Sequence, residues 1–235
     1  MSEQKEHNIE FDKVLNRKIE NYLDKTDTCL IDLNLREPLK KFLLHRLNLE
    51  QDNYNKKREE GFTIEKSAEE IDLILNRIKQ KKNNLHYNDY ISNIESHVWG
   101  NILQPYKGCI MVYIFNERQF SVIKPMLNII TRQTLLFSEY ELPETTDLPL
   151  CITATKIVFS EQQTISDKTF EIRYPLLFHY TNTFNILLKL LTPKTILYAE
   201  DSHYQEQLLT VLAAHHGIPT YNMKDYTLND ITKVI

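Results

Sequence analysis

The chain has 235 residues, 42% of them hydrophobic and 10% aromatic, enough apolar material to bury a sizeable core and too much for wholesale disorder. A net charge of −4 argues against a nucleic-acid binder that works by bulk charge. No apolar run approaches the ~20 residues that span a bilayer, and no secretory signal pattern opens the chain.

Residues 1–105 carry mostly helical periodicity. Ile9, Val14, Ile19 and Leu23 sketch a weak amphipathic helix, and Cys29 to Leu33 a short strand. Pro38, well placed in a first turn, begins a second helix with Leu39, Phe42, Leu43 and Leu47 on one face. Residues 51–61 form a polar connection. A third helix over 67–82 places Ile71, Ile74, Leu75 and Ile78 at i, i+3, i+4, i+7, and a fourth over 87–103 carries Tyr90, Ile94, Val98 and Leu103. The region reads as a helical subdomain or arm with a boundary near Pro105.

Residues 106–235 read as α/β. Cys109 to Phe115, CIMVYIF, is a continuous apolar run, the pattern of a parallel strand buried on both faces. A helix follows with Phe120, Ile123, Leu127 and Ile130. Thr134 to Phe137 is a second strand, 139–149 an acidic loop with proline, and 150–159 a third strand. Tyr174 to Leu191 is a helix with Tyr180, Phe184, Leu187, Leu188 and Leu191 on one side. Residues 195–199 form a strand ending in Glu200-Asp201, then a helix stopped by Gly217, then a strand from Ile218. Alternating strands and helices predict a Rossmann-like parallel sheet with flanking helices, preceded by the helical N-terminal region.

Four glycines, Gly61, Gly100, Gly108 and Gly217, are too sparse for a dinucleotide or phosphate-binding loop, so no cofactor is expected. Cys29, Cys109 and Cys151 are scattered and odd in number, which fits reduced thiols and a cytoplasmic location. No histidine or cysteine spacing suggests a metal centre.

Ligands in open α/β sheets bind beyond the carboxyl ends of strands. Glu200 and Asp201 end one strand, where either is a candidate general base; Asp201 or Ser202 equally suits the cap of the next helix. His203 is a further catalytic candidate. Asn116, Glu117 and Arg118 end the first strand, and Arg118 suits a phosphate or carboxylate; the alternative is a solvated helix start. His215 and His216 complement a helix dipole before Gly217. His179 stands alone, the tyrosines form no stacking cluster, and Lys79, Lys81 and Lys82 read as a solvated helix end.

Two segments, KGCIMVYIFNERQFSVIKPMLNIITRQTLLFSE (107–139) and LLKLLTPKTILYAEDSHYQEQLLTVLAAHHGIPTY (187–221), resemble the amino-terminal half of GT-B glycosyltransferases. The likeness is to surface-carbohydrate enzymes of the CDP-glycerol glycerophosphotransferase kind. It lies in a first strand running into FNERQFSVIKPML, in Pro193-Lys194, in the acidic turn Glu200-Asp201 and in Gly217-Ile218-Pro219-Thr220. The resemblance implies an acceptor-side half in cytoplasmic surface-carbohydrate assembly. It implies transfer of a sugar or polyol phosphate from a nucleotide-activated donor, with the base among Glu200, Asp201 and His203. It also implies a donor domain supplied by a partner protein or an extension, because residues 222–235 cannot replace one. The alternative from the residues themselves is a non-catalytic scaffold whose helical arm docks a protein partner.

Overall fold

A computed structural model describes residues 2–26, 28–30, 33–45, 69, 72, 73, 75, 96–130, 132–140, 142, 149–153, 174–200 and 202–225. The chain divides into two compact units. One holds Met1–Asn84 and Asp167–Phe178, the other Leu85–Ser166 and His179–Ile235. The expected boundary near Pro105 lies inside the second of these.

In the first unit, α1 (Ser2–Leu23) leads to a short antiparallel pair, β1 (Cys29–Leu30) and β2 (Leu33–Asn34), and then to α2 (36–45). The strand expected over 29–33 is therefore two strands. The buried stripe of α1 is Leu15, Ile19, Tyr22 and Leu23, and α2 contributes Leu39, Phe42 and Leu43. That spacing, three and four residues apart, is what keeps one face of each helix apolar. Arg36 Nη2 donates to Glu20 and Asp24, each at 2.7 Å, and Lys40 pairs with Glu20. Tyr22 and Tyr174 share a buried 2.7 Å hydroxyl contact. Of the helix expected over 67–82, only residues 69, 72, 73 and 75 are described, all helical.

The second unit is α/β. Its elements are α3 (Ser96–Leu103), β3 (Ile110–Ile114), α4 (Glu117–Leu127), β4 (Thr134–Ser138), β5 (Leu150–Thr153), α5 (Pro175–Leu191, from its fifth residue on), β6 (Thr195–Tyr198), α6 (Tyr204–His215) and β7 (Thr220–Asn222). The expected helix over 87–103 starts outside the described residues, as does the expected strand beyond 153.

All five strands pair in parallel, in the order β5-β4-β3-β6-β7. This is the expected Rossmann-like layer with flanking helices. β3 is central and every one of its residues is buried, which explains its unbroken apolar run. Ile110, Val112 and Ile114 pack with Phe120, Ile123 and Met126 of α4. Tyr113 points to the other face, where its ring meets Phe137 and Phe184 at 5.9 and 5.8 Å. This is the period-two alternation of a strand.

Helix α6 ends as the sequence predicts. Gly217 takes a left-handed φ of 68°, its N–H donates to the Ala214 carbonyl at 3.0 Å, and Ile218 N–H donates to Ala213 at 2.8 Å. These two bonds make a Schellman stop and satisfy carbonyls that the helix leaves open. His216 Nε2 meets Asn185 Oδ1 at 2.7 Å, tying α6 to α5.

Candidate functional site

The chain lays β4 and β5 on one side of β3, then returns to place β6 on the other. That reversal is the topological switch point of an open α/β sheet, where the carboxyl ends of β3 and β6 flank a crevice. The turns after these strands carry the residues singled out from the sequence.

Asn116 is the N-cap of α4. Its backbone is extended, and its Oδ1 accepts from the Gln119 N–H at 2.9 Å. Glu117 and Arg118 follow, both exposed. Glu200 is half-buried beyond β6, and Asp201 lies outside the described residues. His203, not Asp201 or Ser202, is the N-cap of α6. The reason is Glu206, three residues on, whose Oε2 accepts from the His203 N–H at 2.8 Å and fixes where the helix begins.

The structure brings the two turns together. The ring of His203 stacks on Phe115 with centroids 3.7 Å apart and planes at 25°. Beneath the stack, Gln119 Nε2 donates to Glu206 Oε1 at 2.6 Å, and Gln119 Oε1 accepts from the Phe115 N–H at 2.8 Å. Gln119 and Glu206 are both buried. So Asn116 and His203 belong to one cross-linked pair of turns.

A second group, absent from the sequence reading, lies at the same edge of the sheet. Glu139 follows β4 directly, and its N–H donates to the Ile114 carbonyl at 2.9 Å. Its side chain is half-buried. The Tyr113 hydroxyl donates to Glu139 Oε1 at 2.6 Å, and the Tyr180 hydroxyl donates to Oε2 at 2.7 Å. Burial raises the Glu139 carboxyl above the ordinary carboxylate range, against the lowering effect of the two phenols. Burial and the nearby carboxylate raise both tyrosines, Tyr113 well above its ordinary value. A half-buried carboxyl held by two phenols and raised by burial is a candidate functional group. Its sequence signal was position alone, one residue past a strand.

The remaining candidates separate. Burial lowers the pKa of His179 and of His216. His215 is exposed in the last turn of α6. Burial pushes the Cys109 thiol up to about 11, which makes it a poor nucleophile. Among the described residues no group of three His, Cys, Asp or Glu side chains could hold a metal ion, and no helix is long and apolar enough to cross a membrane. Comparison with protein-family models, characterised proteins and solved structures gives no match.

Proposed function

We propose that the α/β region is the acceptor-side half of a glycosyltransferase-like protein of GT-B architecture. It transfers a sugar or polyol phosphate from a nucleotide-activated donor in cytoplasmic surface-carbohydrate assembly. The donor domain comes from a partner protein or an extension of the chain. The observation that carries this reading is the stack of His203 on Phe115. It joins the two segments that resemble the family at the switch point, the place where such sheets bind ligands. Glu200, Asp201 and His203 then supply the base for an acceptor hydroxyl, and Asn116, Glu117 and Arg118 line the acceptor side.

The test is a transfer assay on protein purified with its partners from its native host, using CDP-glycerol and nucleotide sugars as donors. Donor-dependent transfer should fall by roughly 100-fold or more in Asp201→Asn and His203→Ala, the size of a lost general base. Transfer that survives in both variants, or is absent from the native preparation, overturns the reading.

One observation favours a second reading, the scaffold with a helical docking arm. Gln119, Glu206 and the His203 N–H already satisfy one another, so these groups stabilise the platform without a ligand. Partner binding unchanged in Asp201→Asn and His203→Ala, with no transfer in the parent, is the result this reading expects.

A further inference from the structure

Glu139 is a carboxylate held in place by neutral groups. The influences on it are burial and the hydroxyls of Tyr113 and Tyr180, with no lysine, arginine or histidine among them. Each oxygen receives one hydrogen bond, at 2.6 and 2.7 Å. A carboxylate oxygen accepts two, so one acceptor position remains on each.

Gln205 adds a second, independent observation. It is 5% exposed, and its side chain bonds the Tyr180 hydroxyl. Its Oε1 is buried and has no hydrogen-bond partner among the described residues. Gln205 thus stands two hydrogen bonds from the Glu139 carboxylate, with Tyr180 between them. A buried acceptor left unpaired is costly, and so is a desolvated carboxylate without a cation.

Among the described residues, no positively charged donor acts on this carboxylate. The surroundings are aromatic: Tyr180 lies 5.6 Å from Phe184 and 5.9 Å from Tyr204, ring centre to ring centre. Ring faces attract cations electrostatically.

We propose that Glu139, oriented by Tyr113 and Tyr180, binds the primary ammonium group of a small-molecule amine. An ammonium group carries three donors and no acceptor, which matches the open acceptor positions, and its charge offsets that of the carboxylate. An alcohol of the same shape has one donor and no charge. The net charge of −4 favours the approach of a cation. The inference does not depend on the transferase reading, and its test uses no nucleotide donor.

Propylamine and 1-propanol are the probes, with the full chain near neutral pH and binding followed by calorimetry or ligand-observed NMR. Propylamine should bind saturably, and 1-propanol should not displace it. Glu139→Gln should weaken binding roughly tenfold or more, the loss of a charge-assisted pair. Tyr180→Phe, which keeps the ring, should weaken it several-fold. Where Glu139→Gln does not fold, the Tyr180→Phe variant and the alcohol competition decide. No propylamine binding, displacement by 1-propanol at equal concentration, or full affinity in Glu139→Gln each overturns the proposal.

Discussion

Gln119 and Glu206, 87 residues apart in the chain, share a 2.6 Å hydrogen bond in which both side chains are buried. One sits in the first turn of α4 and the other in the first turn of α6. The bond therefore fixes the two helix starts that flank the switch point. Glu206→Ala leaves Gln119 Nε2 and the His203 N–H without their acceptor. We expect a loss of about 2–4 kcal/mol, from two bonds to the carboxyl group and the donors left buried. Glu206→Gln, which keeps one acceptor oxygen, should recover part of it. Urea unfolding of both variants checks the order.

Phe184 stands at the centre of the ring cluster, fully buried against Tyr113, Phe137 and Tyr180. Phe184→Ala should cost about 3–5 kcal/mol, the range for an aromatic removed from a packed core. A smaller loss in urea unfolding would mean that the cluster collapses onto the gap.

Stability should depend on pH in opposite senses at two sites. The Glu139 carboxyl is raised in the folded chain from an ordinary value of 4.5. The unfolded chain then loses that proton first as pH rises. The contribution is present below about pH 4.5 and lost as pH climbs through the folded value. His179 is lowered by burial from 6.5. Its contribution is present above about pH 6.5 and lost as pH falls through the folded value. Unfolding midpoints measured against pH should flatten on the rising side in Glu139→Gln and on the falling side in His179→Gln.

Tyr113 and Tyr180 extend the first trend. Both hold their protons above the ordinary tyrosine value of 10.0, Tyr113 chiefly through burial and then the Glu139 charge. The protein should therefore lose stability steeply above about pH 10, as the unfolded chain ionises first. Tyr180→Phe should reduce that slope, which alkaline unfolding curves measure directly.

Two glycines should respond in opposite directions to alanine. Gly217 has a φ of 68°, and the space around its missing Cβ is open, so the cost is backbone strain alone. Gly217→Ala should destabilise by about 1 kcal/mol. Gly100 lies within α3 without a positive φ, also with open space. Gly100→Ala should stabilise by roughly 0.5–1 kcal/mol. Thermal unfolding of the pair tests the signs.

Much of the α/β layer is legible in the sequence because its signals are local. The apolar run of β3, the periodic face of α4 and the glycine stop of α6 are each set by neighbouring residues. Asn116 reads as a helix start for the same reason. The cap at His203 is less legible, since Asp201 and Ser202 have better capping chemistry and only the reach of Glu206 decides between them. The Glu139 group is invisible locally. Its bonds join residues 26 and 41 positions apart, and no periodicity links a strand tyrosine, a helix tyrosine and a loop carboxylate.

The first unit gathers Met1–Asn84 with Asp167–Phe178, and Tyr22 meets Tyr174, 152 positions further along the chain. A ribosome delivers the amino-terminal part of that unit long before the piece that completes it. Until Tyr174 emerges, the Tyr22 hydroxyl lacks this partner, and the aromatic edge of Phe42 lacks the Tyr174 ring that it meets at 6.5 Å. The earlier-made part of this unit is thus among the last to reach its final packing. Release of nascent chains at increasing lengths should show protease resistance of α1 and α2 arriving only after residue 178.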